Sequence, residues 1–181
     1  MTTEKDKMLA GERYWINDPE LTEIRFQTRE LVDQFNNTKP RDAGHKNALQ
    51  QRIFASVGDN VHIEKPMRID YGCNTHIGSN VFINFNFVLL DCCPVTIGSN
   101  VFIAPNVQIY TASHPMDIEQ RNAHIGFAAP VTIGDNVWIG GGCIILPGVT
   151  IGAGSVIGAG SVVTRDIPEN VSAFGNPCKV R

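Results

Sequence analysis

The stretch IGDNVWIGGGCIILPGVTIGAGSVIGAGSVV, residues 133–163, has an aliphatic side chain at every sixth position. This period differs from the two-residue alternation of a plain strand and from the roughly 3.6-residue period of a helix. It suits a short strand followed by a turn, and three such units complete one triangular coil of about 18 residues. The stretch therefore predicts a mainly β protein of stacked coils with three parallel sheets, whose inward-pointing residues include Ile133, Ile139, Ile145, Ile151, Ile157 and Val163.

A six-residue phrase recurs upstream of this stretch. Residues 77–82 read IGSNVF, residues 97–102 repeat the same letters, and residues 133–138 read IGDNVW. A degenerate copy begins at Val57, so the first three copies start 20 residues apart. The glycine and asparagine of each copy are expected at a corner, where the backbone angles are unfavourable for other residues. We expect these residues to build the solenoid and to take no part in chemistry.

The six-residue period breaks once, after Ile109, and resumes at Val131. An inserted loop over residues 113–130 separates the two parts of the array. Long insertions in repeat proteins usually lie on a functional face. We therefore predict a site at this insertion, whose ionisable residues are His114, Asp117, Glu119, Arg121 and His124.

Residues 1–56 lack the six-residue period and are predicted to form a helical cap. Asp18 and Pro19 are typical of a helix start, and Pro40 is expected to end that helix. A cap is needed because the open end of a solenoid exposes unpaired strand edges. Two further helices are predicted, at residues 4–13 and 43–56.

The remaining chain divides at the point where the period is lost. We predict the solenoid over residues 57–168 and a C-terminal tail over residues 169–181, all within one structural unit. This tail is expected to fold back on the last coil.

The composition of the 181-residue chain limits its functional class. Hydrophobic residues make up 43% and charged residues 18%, as in a globular domain, and the net charge of −3 argues against nucleic-acid binding. No apolar run has the length of a membrane span, and the first residues lack the apolar core of a signal peptide. Five cysteines without a Cys-x-x-Cys pair predict reduced thiols and a cytoplasmic protein.

Several phrases, taken together with the repeat, resemble the maltose/galactoside O-acetyltransferase family, to which nodulation-type sugar acetyltransferases are similar. The phrases are EKDKMLAGERY at residues 4–14, FINFN at 82–86, IYTASHP at 109–115 and VWIGG at 137–141. The resemblance covers essentially the whole chain. It implies a left-handed parallel β-helix with an N-terminal α-helical cap. It also implies a homotrimer with active sites between neighbouring subunits, and acetyl transfer from acetyl-CoA to a sugar.

The functional positions of that family map onto individual residues here. His114 matches the catalytic histidine. The acceptor-binding positions match Asp18, Arg25, Asp70, Asn84 and Asp91. The acetyl-CoA-binding positions match Trp138, Gly141, Ala159, Thr164, Arg165 and Lys179. A structural role stays open for three of them, as a helix N-cap, a corner residue and a packing residue: Asp18, Asn84 and Trp138.

Two departures from the galactoside branch favour a maltose-like or glucose-like acceptor. Asp70 stands where the resemblance places a serine in galactoside enzymes. Asp91 matches the first of two consecutive acids, but Cys92 replaces the second.

The chemistry of the reaction explains the need for a histidine. A sugar hydroxyl is a poor nucleophile, so a base must take its proton as it attacks the thioester carbonyl. Histidine titrates near neutral pH, and general base catalysis contributes about 10²–10⁴-fold. We predict direct attack with His114 as the base, and a backbone N–H of residues 140–142 as a donor to the oxyanion. An acyl-enzyme on Cys92 or Cys93 is the alternative.

Other functional classes stay open. An antibiotic or amino-sugar acetyltransferase is the nearest alternative, and a non-catalytic hexapeptide scaffold is another. A zinc enzyme of the γ-type carbonic anhydrase kind needs three converging histidines, whereas His114 and His124 are ten residues apart without a close histidine pair. We therefore expect no metal.

Overall fold

Three sheets enclose a triangular core in the computed structural model, which describes residues 2–181. Met1, the first residue of the predicted cap, lies outside the described residues. Sheet 1 contains β2 (Ser56–Val57), β5 (Thr75–Ile77), β8 (Val95–Ile97), β13 (Val131–Ile133) and β16 (Thr150–Ile151). Sheet 2 contains β3 (His62–Ile63), β6 (Phe82–Ile83), β9 (Phe102–Ile103), β14 (Trp138–Ile139), β17 (Val156–Ile157), β19 (Ser172–Phe174) and β20 (Lys179–Val180). Sheet 3 contains β4 (Met67–Ile69), β7 (Phe87–Leu90), β10 (Gln108–Tyr110), β15 (Ile144–Ile145) and β18 (Val162–Val163).

The chain visits sheets 1, 2 and 3 in turn, so each coil stacks on the one before it. Strands of neighbouring coils pair in parallel, and Ile97 lies opposite Ile133, which lies opposite Ile151. The fold is the predicted left-handed parallel β-helix with an N-terminal helical cap and an insertion. We call the three edges of this prism the 1–2, 2–3 and 3–1 corners, after the sheets that meet there.

The six-residue period places one aliphatic side chain of each short strand inside the prism. Ile133, Ile139 and Ile145 are at most 1% exposed. Burial of such a side chain contributes on the order of 1.5–3 kcal/mol. The core therefore runs along the whole solenoid axis, and its stability comes from many equivalent contacts.

Asparagines occupy the 1–2 corner in a left-handed backbone conformation. Asn80 and Asn100 have φ angles of 58° and 57°, which few side chains other than asparagine tolerate. Their amides stack along the axis, and Asn80 Nδ2 donates to Asn100 Oδ1 at 3.1 Å. The predicted structural role of the repeated asparagines fits these corners.

Three helices precede the solenoid: α1 (Glu4–Leu9), α2 (Pro19–Asn36) and α3 (Ala43–Ile53). The first is shorter than the predicted 4–13, because Gly11 turns the chain at a φ of 74°. The second ends at Asn36, before Pro40, and the third ends where Phe54 becomes extended. Phe35 and Leu49 belong to the main core cluster, so α2 and α3 cover the first coil. Within residues 2–181, the helices lack the length and apolar character that a membrane crossing requires.

The insertion and the N-terminal segment form one small antiparallel sheet. β11 (Ala112–Ser113) pairs with β12 (Ile125–Ala128), and β12 pairs in turn with β1 (Tyr14–Trp15). A short helix, α4 (Ile118–Asn122), connects β11 to β12. The insertion predicted as a loop is therefore an ordered hairpin held by the N-terminal segment.

The last residues extend the solenoid beyond residue 168. β19 continues sheet 2 in parallel with β17, and β20 folds back antiparallel to β19. Ala173 lies opposite Ile157 and is fully buried. The six-residue spacing is lost here, but an inward-pointing small residue still completes the core.

Candidate active site

A cavity of about 250 Å³ lies at the 3–1 corner, between the insertion and the N-terminal segment. His114 follows directly after β11 and is one of its lining residues. Arg25 and Asp70, both predicted to bind the acceptor, line the same cavity. The structure thus brings together one predicted catalytic residue and two predicted acceptor-binding residues from distant parts of the chain.

The other charged residues of the insertion hold its shape. Asp117 is the N-cap of α4, and its carboxylate accepts from the N–H of Gln120 at 2.8 Å. Arg121 Nη1 donates to the carbonyls of Pro115 and Met116 at 3.2 and 3.1 Å. These contacts fix the chain immediately after His114.

Arg25 is held in the cavity wall by three partners. Its Nη1 donates to the hydroxyl of Tyr71 at 2.6 Å, and its guanidinium lies 5.6 Å from the centre of that ring. Its Nη2 donates to the carbonyl of Ile16 at 3.0 Å and to Thr22 Oγ1 at 3.1 Å. A guanidinium anchored in this way presents a fixed positive charge to a ligand.

Asp70 pairs with Arg29 at the mouth of the cavity. Arg29 Nη2 lies 3.2 Å from Asp70 Oδ1, and the aspartate side chain keeps 21% of its surface exposed. The pair offers both donors and acceptors to a polyhydroxylated ligand.

Asp18 occupies the helix N-cap, the structural role left open from the sequence. Its Oδ1 accepts from the N–H groups of Glu20 and Leu21 at 3.0 and 3.2 Å. Its neighbour Asn17 lines the cavity instead. The sequence analysis missed Asn17 as a cavity residue, and it named Asp18, which does not line the cavity.

Asp91 lies inside the protein, contrary to the acceptor contact expected of it. The residue is fully buried, and its carboxylate accepts hydrogen bonds from Tyr71, Gly72 and Thr75. Burial raises its pKa to about 6, although these hydrogen bonds act in the opposite direction. The alternation of strand β7 explains the burial, because Phe87 and Leu89 point inward and Asp91 follows in the same phase.

The two adjacent cysteines are not disposed as nucleophiles. Cys92 lines the cavity floor, and burial raises the pKa of its thiol to about 12. Burial also raises the pKa of the Cys93 thiol. A thiol must ionise to attack a thioester efficiently, so both groups stay in the unreactive form near neutral pH.

The predicted acetyl-CoA residues fall into two groups. Trp138 is 55% exposed on sheet 2, between Phe102 and Val156 of the neighbouring strands. Gly141 and Ala159 follow at the 2–3 corner, where the N–H of Gly160 donates to the carbonyl of Gly141 at 2.9 Å. Trp138 and Ala159 are exposed and Gly141 is half-buried, and the three residues lie on two successive coils.

The second group lies at the end of the solenoid. Arg165 and Lys179 line one cavity of about 200 Å³, and Thr164 precedes Arg165 directly after β18. Two cations at a concave surface suit an anionic group such as a phosphate.

Asn84 lies apart from the His114 cavity. It occupies the 2–3 corner, at the start of the turn from β6 to β7, and its Oδ1 accepts from the N–H of Phe85 at 2.8 Å. This is the same corner as Gly141 and Ala159. Within one chain, His114 and Asn84 therefore lie at different corners of the prism.

Tyr71 is a cavity residue that the sequence analysis missed. It lies at the 3–1 corner, one coil before Cys92 and two before Ala112, and all three line the cavity. The 20-residue spacing of the coils upstream of the insertion was the available signal, because it stacks these corners on one another.

Metal donors do not converge in the described part of the chain. Residues 2–181 contain no group of three or more histidine, cysteine, aspartate or glutamate side chains arranged to hold an ion.

Two family models match the chain. The maltose acetyltransferase hexapeptide capping motif covers residues 7–58, and the bacterial transferase hexapeptide model covers residues 130–165. The first model covers most of the helical cap, and the second covers the C-terminal coils of the solenoid. The two models therefore match both structural parts of the chain, the cap and the solenoid.

Known proteins resemble the whole chain. The crystal structure of a maltose O-acetyltransferase from Clostridium difficile 630 is 51% identical, with a TM-score of 0.98 over 99% of this chain and 96% of that one. A galactoside acetyltransferase in complex with coenzyme A is 43% identical, with a TM-score of 0.96 over 100% of this chain and 90% of that one. Nodulation protein L of Rhizobium meliloti is 47% identical over 99% of this chain and 98% of its own. With its capping motif, its hexapeptide coils and these relatives, the chain belongs to the hexapeptide-repeat family of acetyl-CoA-dependent sugar O-acetyltransferases.

Proposed function

We propose that the protein transfers the acetyl group of acetyl-CoA to a hydroxyl of a maltose-like or glucose-like sugar, with His114 as the general base. The hydroxyl oxygen attacks the thioester carbonyl while a His114 ring nitrogen takes its proton. The tetrahedral intermediate collapses with cleavage of the C–S bond. The thiolate of CoA leaves and accepts the proton from His114, so the enzyme returns to its starting state.

The observation that carries this proposal is the shared cavity of His114, Arg25 and Asp70. A base, a fixed cation and a carboxylate around one small cavity suit a neutral ligand with several hydroxyl groups. Direct transfer is favoured because the thioester is already activated and the cavity thiol of Cys92 has a raised pKa.

The choice of sugar rests on the groups at the cavity floor and mouth. Asp70 supplies a carboxylate at the mouth, and the neutral thiol of Cys92 lies at the floor. These are the two positions that depart from the galactoside pattern. They support a maltose-like acceptor over a galactoside.

Acetyl-CoA is the proposed cosubstrate. A galactoside acetyltransferase related to this chain was crystallised with coenzyme A. In this chain, Gly141 and Ala159 offer backbone groups at the 2–3 corner to the pantetheine arm, and Trp138 offers its exposed side chain. The cavity of Arg165 and Lys179 offers two cations to the phosphates.

A homotrimer would bring together the two parts of the active site, which lie at different corners of one chain. His114 lies at the 3–1 corner, whereas Asn84 and Gly141 lie at the 2–3 corner of the same chain. A neighbouring copy that places its 2–3 corner beside the His114 cavity completes a site that one chain divides between two corners. Rings of identical subunits repeat this contact between each pair of neighbours.

The test of the reaction is acceptor-dependent release of CoA thiol from acetyl-CoA. The acceptor panel contains maltose, glucose, a galactoside, glucosamine and chloramphenicol. We expect the highest kcat/KM with maltose or glucose, and a loss of about 10²–10⁴-fold in His114→Ala. The exposed His45 in α3 does not line the cavity, and His45→Ala is the matched control that keeps its activity.

The outcomes separate the alternatives. A preference for glucosamine or chloramphenicol would replace the sugar hydroxyl with an amino-sugar or antibiotic acceptor. Absence of both thiol release and acetyl-CoA binding would support the non-catalytic scaffold instead. Equal activity of His114→Ala and wild type would remove His114 as the base.

Mixed oligomers test the divided site. Gly141→Leu places a side chain at the 2–3 corner, and His114→Ala removes the base at the 3–1 corner. Each variant alone is expected to keep only a small residual activity, and co-expression is expected to restore part of the activity through sites with both intact corners. Failure of complementation in mixed oligomers of proven composition would place the whole site in one chain.

A further inference from the structure

Asp91 is a buried carboxylate with no place in the proposed reaction. Its Oδ1 accepts from the N–H groups of Tyr71 and Gly72 at 2.9 and 3.1 Å. Its Oδ2 accepts from Thr75 Oγ1 at 2.8 Å, and its backbone carbonyl accepts from Asn74 Nδ2 at 2.8 Å. One residue thus binds three residues of the 3–1 corner in the preceding coil, and also Thr75, the first residue of β5.

That corner is too tight for an ordinary turn. Gly72 has a φ of 66°, and a Cβ at this position would lie 2.3 Å from the carbonyl oxygen of Ile53. The chain is therefore pressed against the end of α3. Backbone N–H groups in such a buried corner need an acceptor, and the Asp91 carboxylate provides it.

Tyr71 lies in the corner that Asp91 holds. Its backbone N–H, its carbonyl and its hydroxyl are each hydrogen-bonded to another residue. Asp91 holds its backbone N–H, and Thr28 Oγ1 donates to its carbonyl at 2.7 Å. Its hydroxyl accepts from Arg25 Nη1 at 2.6 Å. A displacement of the corner would therefore move the hydroxyl that anchors Arg25.

We propose that Asp91 is a positioning residue of the acceptor site, which acts on the cavity through Tyr71 and Arg25 without touching the acceptor. The proposal rests on the proposed function, in which Arg25 binds the acceptor. The corner encloses the Asp91 carboxylate, so the carboxylate does not reach the acceptor. Asp91 therefore acts on the geometry of the site.

Two substitutions separate this role from direct contact. Asp91→Ala removes both carboxylate oxygens, which accept from Tyr71, Gly72 and Thr75. It is expected to raise the acceptor KM about 10-fold, the effect of losing hydrogen bonds to a charged group. Asp91→Asn keeps Oδ1 for Tyr71 and Gly72, and its Nδ2 can donate to Thr75 Oγ1. We expect Asp91→Asn to stay within about threefold of wild type. The kcat and the KM for acetyl-CoA should change little in both.

Asp135→Ala is the matched control. Asp135 Oδ1 accepts from the N–H of Ser99 at 2.7 Å at the 1–2 corner, away from the cavity. Its loss should leave the acceptor KM unchanged. Where Asp91→Ala does not fold, as judged by circular dichroism and acetyl-CoA binding, Thr75→Val takes its place and removes one of the carboxylate's three partners.

A double-mutant cycle with Tyr71→Phe tests whether Asp91 affects the acceptor KM through the Tyr71 hydroxyl. If Asp91 acts through the Tyr71 hydroxyl, Tyr71→Phe alone raises the acceptor KM. The double variant should then be no worse than the more damaging single one. Additive effects, an unchanged acceptor KM in Asp91→Ala, or equal damage in Asp91→Asn and Asp91→Ala would each overturn the proposal. A wild-type protein without acceptor-dependent thiol release would instead refute the proposed function.

Discussion

Tyr14 in the N-terminal segment pairs with Gly126 in the insertion, across the antiparallel ladder of β1 and β12. A Cβ at position 126 would lie 2.7 Å from Cγ2 of Ile16 and 3.3 Å from Cζ of Tyr14. Both of these side chains line the His114 cavity. The absence of a side chain at Gly126 thus lets the N-terminal segment close over the insertion and form one wall of the site.

Gly126→Ala is expected to displace the Ile16 and Tyr14 side chains, which line the cavity. Overpacking of this kind costs about 1–3 kcal/mol of unfolding free energy. The acceptor KM should rise with it, because the cavity wall moves. Urea unfolding and initial-rate kinetics measure the two effects.

Gly44→Ala is the control for this substitution. Gly44 lies in α3, and a Cβ there would meet no atom within 4 Å. Alanine favours a helix, so stability should stay equal or rise by up to about 1 kcal/mol. Equal stability and equal acceptor KM in both variants would show that the Gly126 contact is unimportant.

Cys92→Ala and Cys93→Ala should retain a kcat within about threefold of wild type, because direct transfer needs no enzyme nucleophile. The raised pKa of each thiol favours this result. Intact mass spectrometry after mixing enzyme with acetyl-CoA alone should show no added acetyl group. An acetylated enzyme that releases its acetyl group to the sugar, together with an inactive cysteine variant, would establish the acyl-enzyme route.

The solenoid could be predicted because its physics is local and repetitive. Each coil must present one aliphatic side chain per short strand to the core, so Ile133, Ile139 and Ile145 encode the fold through their spacing alone. The pairing of β1 with β12 has no such pattern. A strand of two residues carries no periodicity, and its partner is chosen by tertiary packing of Tyr14 and Ile16.

The structure brings His114, Arg25 and Asp70 into one cavity, as their predicted roles require, and those roles stay predictions. The prediction was wrong for Asp91, where a shift of one residue along the strand decides whether a side chain points inward or outward. Leu89 is fully buried, so the residue two positions later also points inward, and Asp91 became a structural group. Asp18 does not line the cavity, because its Oδ1 caps α2, and its neighbour Asn17 lines the cavity instead.

Asn100→Ala should destabilise the solenoid more than Asn100→Gly. The residue has a φ of 57°, a conformation that costs alanine about 1–2 kcal/mol and costs glycine little. Both variants lose the hydrogen bond from Asn80, so the difference between them isolates the backbone conformation. Urea unfolding of the two variants at equal protein concentration measures it, and equal midpoints with equal slopes would contradict the explanation.

Asp91 should make stability fall as pH rises through weakly acidic values. Burial raises its folded-state pKa to about 6 from the usual 3.8, so between these values the folded protein binds more protons than the unfolded chain. The stabilising effect of the bound proton is complete below the unfolded pKa and is lost as pH rises through the folded pKa. From pH 4 to pH 7 the loss amounts to about 2–3 kcal/mol.

The substitution Asp91→Asn replaces the carboxyl with an amide that cannot titrate, so it removes this dependence while other ionisable groups affect both proteins alike. The unfolding free energy of wild type minus that of Asp91→Asn should therefore decrease from pH 4 to pH 7. Urea unfolding of both proteins at each pH, at one protein concentration, gives this difference. Parallel pH curves would show that Asp91 keeps its ordinary pKa, and an increase with pH would show that its hydrogen bonds outweigh its burial.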